Sequence, residues 1–106
     1  MAGPSDGQAL KRRLVETARE LLRRDLTEAT AGNLSARLPD GRVVLTPSSL
    51  AYETMTVEDL VVVGLDGEVL EGERTPTSEK ALHLACLRQH DDIGAVIHCH
   101  APFCTM

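Results

Sequence analysis

Tryptophan is absent, and Tyr52 and Phe103 are the only aromatic side chains among 106 residues. The core must therefore be built of Leu, Val, Ala and Ile, which suffices for one domain of this size without much margin. No apolar run approaches the ~20 residues of a membrane span, and no polybasic cluster suits an anionic lipid surface. Lys and Arg number 11 against 16 Asp and Glu, interspersed, for a formal net charge of −5. That balance argues against the basic stripe of a nucleic-acid surface. Residues 1–13, MAGPSDGQALKRR, hold no apolar segment behind a basic start and do not read as a secretory signal. Cys86, Cys99 and Cys104 are odd in number and lack a framework spacing. Reduced thiols in a cytoplasmic protein are the simplest expectation.

Periodicity supplies the elements. Ser5 with Gln8 three residues on matches a capping box, and Leu10, Leu14, Ala18, Leu21 and Leu22 recur at helical spacing. A helix is expected over 6–24, behind a loose tail at 1–5. TEATAGN (27–33) is small and polar, hence loop. LSARL (34–38) alternates, with Leu34, Ala36 and Leu38 on one face; PDGR (39–42) turns, and VVLT (43–46) returns as a strand ended by Pro47. Thr56 caps a single helical turn over 56–60. Strands at 60–65 and 68–72 flank Asp66-Gly67, a hairpin signal. Residues 73–90 open with Pro76 and hydroxyls and then become helical. Ala81, Leu82, Leu84, Ala85, Cys86 and Leu87 leave so little polar surface that this helix is expected to be buried on more than one side. DDIG (91–94) breaks it, and a last strand follows at 95–100. The order helix, hairpin, hairpin, helix, strand describes an α/β domain with helices packed on a largely antiparallel sheet.

The chemistry concentrates in AVIHCHAP, residues 95–102. Strand alternation puts His98 and His100 on one face and Cys99 on the other. Two adjacent neutral imidazoles suit a transition metal. A catalytic zinc takes three protein ligands and keeps one position open, so a further donor is required. Glu79, in the first turn of the preceding helix, is a candidate. His83 lies one turn on from Glu79 and shares its face. Glu79 with His83 is thus a rival ligand pair, although a core histidine holding a backbone group is the preferred role for His83. His90, beside Asp91 and Asp92, reads as a surface residue. Thr77 and Ser78 stand at a helix start, where free N–H groups and the helix dipole favour an anion, unless they are ordinary caps. TAGN (30–33) and TPSS (46–49) are two more small polar loops with donors to offer, although turns commonly look like this.

TAGNLSAR, LTPSSLAYE, DLVVVGLDGEVLEG, PTSE and AVIHCHAP occur in this order and spacing. So arranged, they resemble the class II aldolase/adducin-head family, and within it the fuculose-phosphate aldolases, from about residue 8 to Met106. The resemblance implies a three-layer α/β/α fold around a mainly antiparallel sheet, of which residues 1–106 form the N-terminal part, and a homotetrameric enzyme. It implies one divalent metal, typically zinc, held by His98, His100 and a third histidine beyond this sequence. Glu79 takes the place of the acid/base glutamate that also ligates the metal at rest. The substrate phosphate would lie against Gly32, Asn33, Ser48, Ser49, Thr77 and Ser78. Ser49 departs from the resemblance, since glycine is common there, and Thr77 stands where serine is usual. The implied activity is zinc-dependent cleavage of a ketose phosphate. In that reaction the metal stabilises an enediolate and Glu79 shuttles the proton. Sugar-phosphate 4-epimerisation, methylthioribulose-phosphate dehydration and a non-catalytic association module are the alternatives.

Overall fold

The computed structural model describes residues 4–24 and 32–98. Helix α1 spans Pro4–Arg23; strands β1 (Asn33–Arg37) and β2 (Val43–Leu45) follow. A 3₁₀ turn at Val57–Asp59 precedes β3 (Val61–Val63) and β4 (Val69–Glu71), and helix α2 (Lys80–Gln89) leads into β5 (Ala95–His98). The strands form one sheet in the order β4-β3-β2-β1-β5, and all four neighbouring pairs are antiparallel.

Alternation along the central strands sends apolar side chains to both faces of this sheet. Leu34 and Ala36 of β1, Leu38, Val44 of β2 and Val62 of β3 join Leu14, Val15 and Ala18 of α1 on one face, with Tyr52, Met55 and Leu60 beside them. Val43 and Leu45 of β2 and Val61 and Val63 of β3 meet Leu84 and Leu87 of α2 on the other. The result is three layers, α/β/α, as the family resemblance implied. Each fully buried Val or Leu of this kind stabilises the fold by about 1.5–3 kcal/mol, so a core of small aliphatics is adequate. Among the described residues, no helix is long and apolar enough to cross a membrane.

The turns follow from their residues. Gly41 and Gly67 take φ of 94° and 96° in the β1–β2 and β3–β4 connections, a region costly for any residue with a Cβ. Asp40 closes the first by accepting the Arg42 N–H at 3.1 Å. Several boundaries differ from expectation. α1 begins at Pro4 because proline suits the first helical turn. β3 and β4 are shorter than 60–65 and 68–72, since the Gly64–Glu68 and Gly67–Gly64 backbone bonds take Leu65 into the turn. α2 starts at Lys80, making Glu79 its N-cap rather than a first-turn residue. The segment before it is held out of the helix by backbone bonds to the end of β2.

α2 buries one face only. His83, Leu84 and Leu87 are inside, whereas Ala81 is exposed and Leu82 is 43% exposed. At 100° per residue Leu82 lies nearly opposite Leu84 and Leu87, away from the sheet. The expectation of burial on more than one side is therefore corrected. Three cations fasten this short helix. Arg37 donates through Nη2 to Leu87 O at 2.6 Å and His90 O at 3.2 Å, satisfying carbonyls at its C-terminus. Lys80 reaches Gly67 O at 2.8 Å and Arg88 reaches Leu65 O at 2.7 Å, tying α2 to the β3–β4 turn.

Candidate functional site

Thr46, fully buried after β2, joins the start of β1 to the approach to α2. Its N–H donates to Leu34 O at 3.0 Å, and its hydroxyl accepts the Leu34 N–H at 3.2 Å. Its carbonyl accepts the Thr77 N–H at 3.1 Å. Two residues further along, Ser48 N–H donates to Thr75 O at 2.9 Å, and between them Pro47 forms an isolated antiparallel bridge with Pro76. The start of β1, the 46–49 loop and the approach to α2 are thus bonded directly to one another.

The side chains proposed for an anion are differently disposed. Gly32 is half-buried and Asn33 buried at the start of β1. Ser48 is half-buried and Ser49 exposed, their hydroxyl oxygens 3.5 Å apart. Ser49 has φ 60°, the left-handed region, which explains why the resemblance has glycine at this position. Thr77 is buried, and its hydroxyl accepts the Glu79 N–H at 3.3 Å, so it serves the turn into α2. Ser78 is exposed beside it.

Glu79 and His98 come together from α2 and β5. Glu79 Oε2 lies 4.0 Å from His98 Nδ1, and the Glu79 carboxylate makes no capping bond to its own helix. His98 is the Cα partner of Asn33 across β1 and β5. Carboxylate oxygen and imidazole nitrogen are donor types that zinc accepts, at about 2.0–2.2 Å each. At a tetrahedral angle two such bonds set their donors about 3.4 Å apart, so the pair stands a little wider than one shared ion would hold it. His100 and Cys99, and with them the expected sharing of a face by His98 and His100, lie outside the described residues. Among the described residues no three His, Cys, Asp or Glu side chains group closely enough to hold a metal.

His83 is fully buried between Asn33 and Ser35. Its Nε2 is 2.5 Å from Asn33 Oδ1 and its Nδ1 2.6 Å from Ser35 Oγ. An amide oxygen only accepts, so Nε2 carries the proton and Nδ1 accepts the serine hydroxyl. Burial pushes the imidazole pKa down from its ordinary value; His98 adds to this and Glu79 opposes it. The ring is held neutral, with both nitrogens engaged. That removes His83 from the rival ligand pair with Glu79. It also corrects the expectation that this histidine holds a backbone group, because its partners are side chains of β1. Ser35 was not singled out in the sequence. Its signal was a polar residue at the alternate position of a strand whose other face is apolar. The linking role of Thr46 had no sequence signal beyond membership of a polar turn.

Residues 12–106 match the family described as the class II aldolase and adducin N-terminal domain. The chain is 39% identical over 97 residues to 5-deoxy-D-ribulose 1-phosphate aldolase of Bacillus thuringiensis serovar kurstaki, covering 91% of this chain and 46% of that protein. It is 42% identical over 99 residues to L-ribulose-5-phosphate 4-epimerase UlaF of Salmonella paratyphi B, covering 92% and 43%. A solved L-fuculose 1-phosphate aldolase superposes with a TM-score of 0.86 at 36% identity, covering 99% of this chain and 48% of that one. The chain spans a little under half the length of these relatives. With a three-layer fold, an antiparallel sheet and polar loops gathered at one sheet end, it belongs to the class II aldolase and adducin N-terminal domain family.

Proposed function

We propose that the protein is a zinc-dependent class II aldolase-type lyase that cleaves a ketose phosphate. The observation that carries this reading is the approach of Glu79 to His98 at 4.0 Å beside the bonded polar loops. Glu79, His98 and His100 would hold a divalent ion, which when bound would supply Lewis acidity for negative charge developing on the sugar oxygens. The chain's own groups do the rest. Gly32, Asn33, Ser48, Ser49 and Ser78 offer N–H and hydroxyl donors to the phosphate, and the N-terminus of α2 adds its dipole. Thr77 shapes that turn from within. Binding energy from the phosphate, remote from the reacting carbons, orients the substrate. Glu79, uncommitted to its helix cap, is free to take and return a proton beside the carbon–carbon bond.

Retention of Glu79, His98 and His100 favours an enzyme over an association module, which has no need of these donors. Epimerisation of a ribulose phosphate is the second reading, favoured by the 42% identity to an enzyme named for it. The zinc-loaded protein is assayed with L-fuculose 1-phosphate, 5-deoxy-D-ribulose 1-phosphate and L-ribulose 5-phosphate. Chelator-sensitive release of two shorter carbon fragments is expected. Chelator-sensitive isomerisation without fragments identifies the epimerase, and inertness toward all three overturns the lyase reading.

A further inference from the structure

The strands and helix place three polar side chains in a row where an apolar core would otherwise continue. Asn33 and Ser35 are two residues apart on β1 and so share the face that meets α2. His83 of α2 sits between them, and the three are 6%, 0% and 0% exposed. The directions follow from the Asn33 amide oxygen, which faces Nε2 and only accepts. The Ser35 hydroxyl donates to Nδ1, which leaves the proton on Nε2, and Nε2–H donates to Asn33 Oδ1.

We infer that His83 is a positioning residue whose Nε2–H locks the Asn33 side-chain amide with its oxygen inward and its NH2 outward, as a donor to the substrate's anionic group. This rests on the reading of Asn33 as part of the phosphate site. The two ends of an asparagine amide are nearly equal in size, so packing alone does not choose between them. A donor at Nε2 does choose. The flipped amide would set NH2 against N–H, leaving buried donors unsatisfied. Ser35 acts one step further back: its hydroxyl donates to Nδ1 and so supports the Nε2–H form. His83 touches neither metal nor substrate; it acts through Asn33.

The test combines imidazole ¹⁵N spectroscopy with titration by inorganic phosphate. In the wild type, His83 is expected as the neutral Nε2–H tautomer at pH 7. His83→Met is expected to weaken phosphate binding about tenfold, the scale of one misdirected hydrogen bond. His83→Gln, which keeps a donor and an acceptor, restores most of it. The decisive arm is the double variant His83→Met/Asn33→Ala, which is expected to bind phosphate no worse than Asn33→Ala alone. If His83→Met does not fold, Ser35→Ala takes its place: it keeps the ring but frees Nδ1, and both tautomers and weaker phosphate binding are expected. An Nδ1–H tautomer in the wild type, or additive losses in the double variant, overturns this inference while leaving the phosphate site standing. Failure of the wild type to bind phosphate at all overturns the site reading, and this inference with it, whatever the tautomer.

Discussion

Asn33 and His98 stand opposite each other on the antiparallel strands β1 and β5. Directly opposed residues point to the same face of a sheet. Here that face carries α2, since Val96, two residues before His98, packs in the α2 core. The phosphate and metal candidates therefore share one end of one sheet face, yet they act on different parts of a ligand. His98→Ala is expected to weaken zinc binding by more than the 10–100-fold typical of losing an outer partner of a ligand, and to leave phosphate binding nearly unchanged. Competition against a chromophoric chelator and a phosphate titration check the two halves. Equal loss of both ligands would mean that the strand end has collapsed.

Ser49 holds a left-handed backbone at φ 60° with a side chain attached. That conformation costs a residue with a Cβ about 1–2 kcal/mol, and the greater unfolded-state freedom of glycine returns about 0.5–1 kcal/mol of it. Ser49→Gly should therefore stabilise the fold by up to about 1 kcal/mol. Urea unfolding measures it, and a loss of stability would show that the serine side chain makes a compensating contact.

Arg37 binds the carbonyls of Leu87, His90 and Ile93. Arg37→Ala leaves the end of α2 without its donors and should cost about 1.5–3 kcal/mol, the range for hydrogen bonds to a charged group. Arg37→Lys should recover only part, because an ammonium lacks the planar fork. Thermal denaturation that ranks lysine equal to arginine would contradict this account of how α2 is fastened.

Asp59 accepts Arg74 Nε at 2.6 Å through one oxygen, and the N–H and hydroxyl of Thr56 at 2.9 and 3.1 Å through the other. Arg74 first, and the Thr56 N–H next, hold its carboxyl pKa below the ordinary 3.8. A carboxyl lowered on folding stabilises the fold above the unfolded value, and that contribution is lost as pH falls through the folded one. Asp59→Asn should cost about 1 kcal/mol at pH 7, as loss of a helix cap does. The difference from wild type should shrink as the pH drops below about 4. A gap independent of pH across that interval would remove the charge from the explanation.

Much of this was legible because local chemistry and tertiary packing agree. Leu34, Ala36 and Leu38 alternate in sequence and share the α1 core, and Asp66-Gly67 turns where a hairpin signal stood. The start of β1, the 46–49 loop and the approach to α2 are bonded together, but the agent, Thr46, is visible only once β2 is laid beside β1. His83 shows the limit most clearly. Its spacing from Glu79 made it a rival ligand, and only the neighbouring strand shows that Asn33 and Ser35 occupy both its nitrogens. The apolar run 81–87 suggested burial all round, because composition does not say which helix face receives a neighbour. Leu82 is on the face that does not.

The proton transfer assigned to Glu79 is the centre of the account, and steady-state turnover of the zinc-loaded Glu79→Gln variant tests it most directly. The substitution keeps size and most hydrogen bonding but removes base and charge. If Glu79 transfers the proton, kcat for cleavage falls about 10²–10⁴-fold, while substrate affinity falls far less because the phosphate donors are untouched. If the residue only steadies the start of α2, worth about 0.3–1 kcal/mol, the folded variant turns over within a few-fold of wild type, and that result would contradict the mechanism.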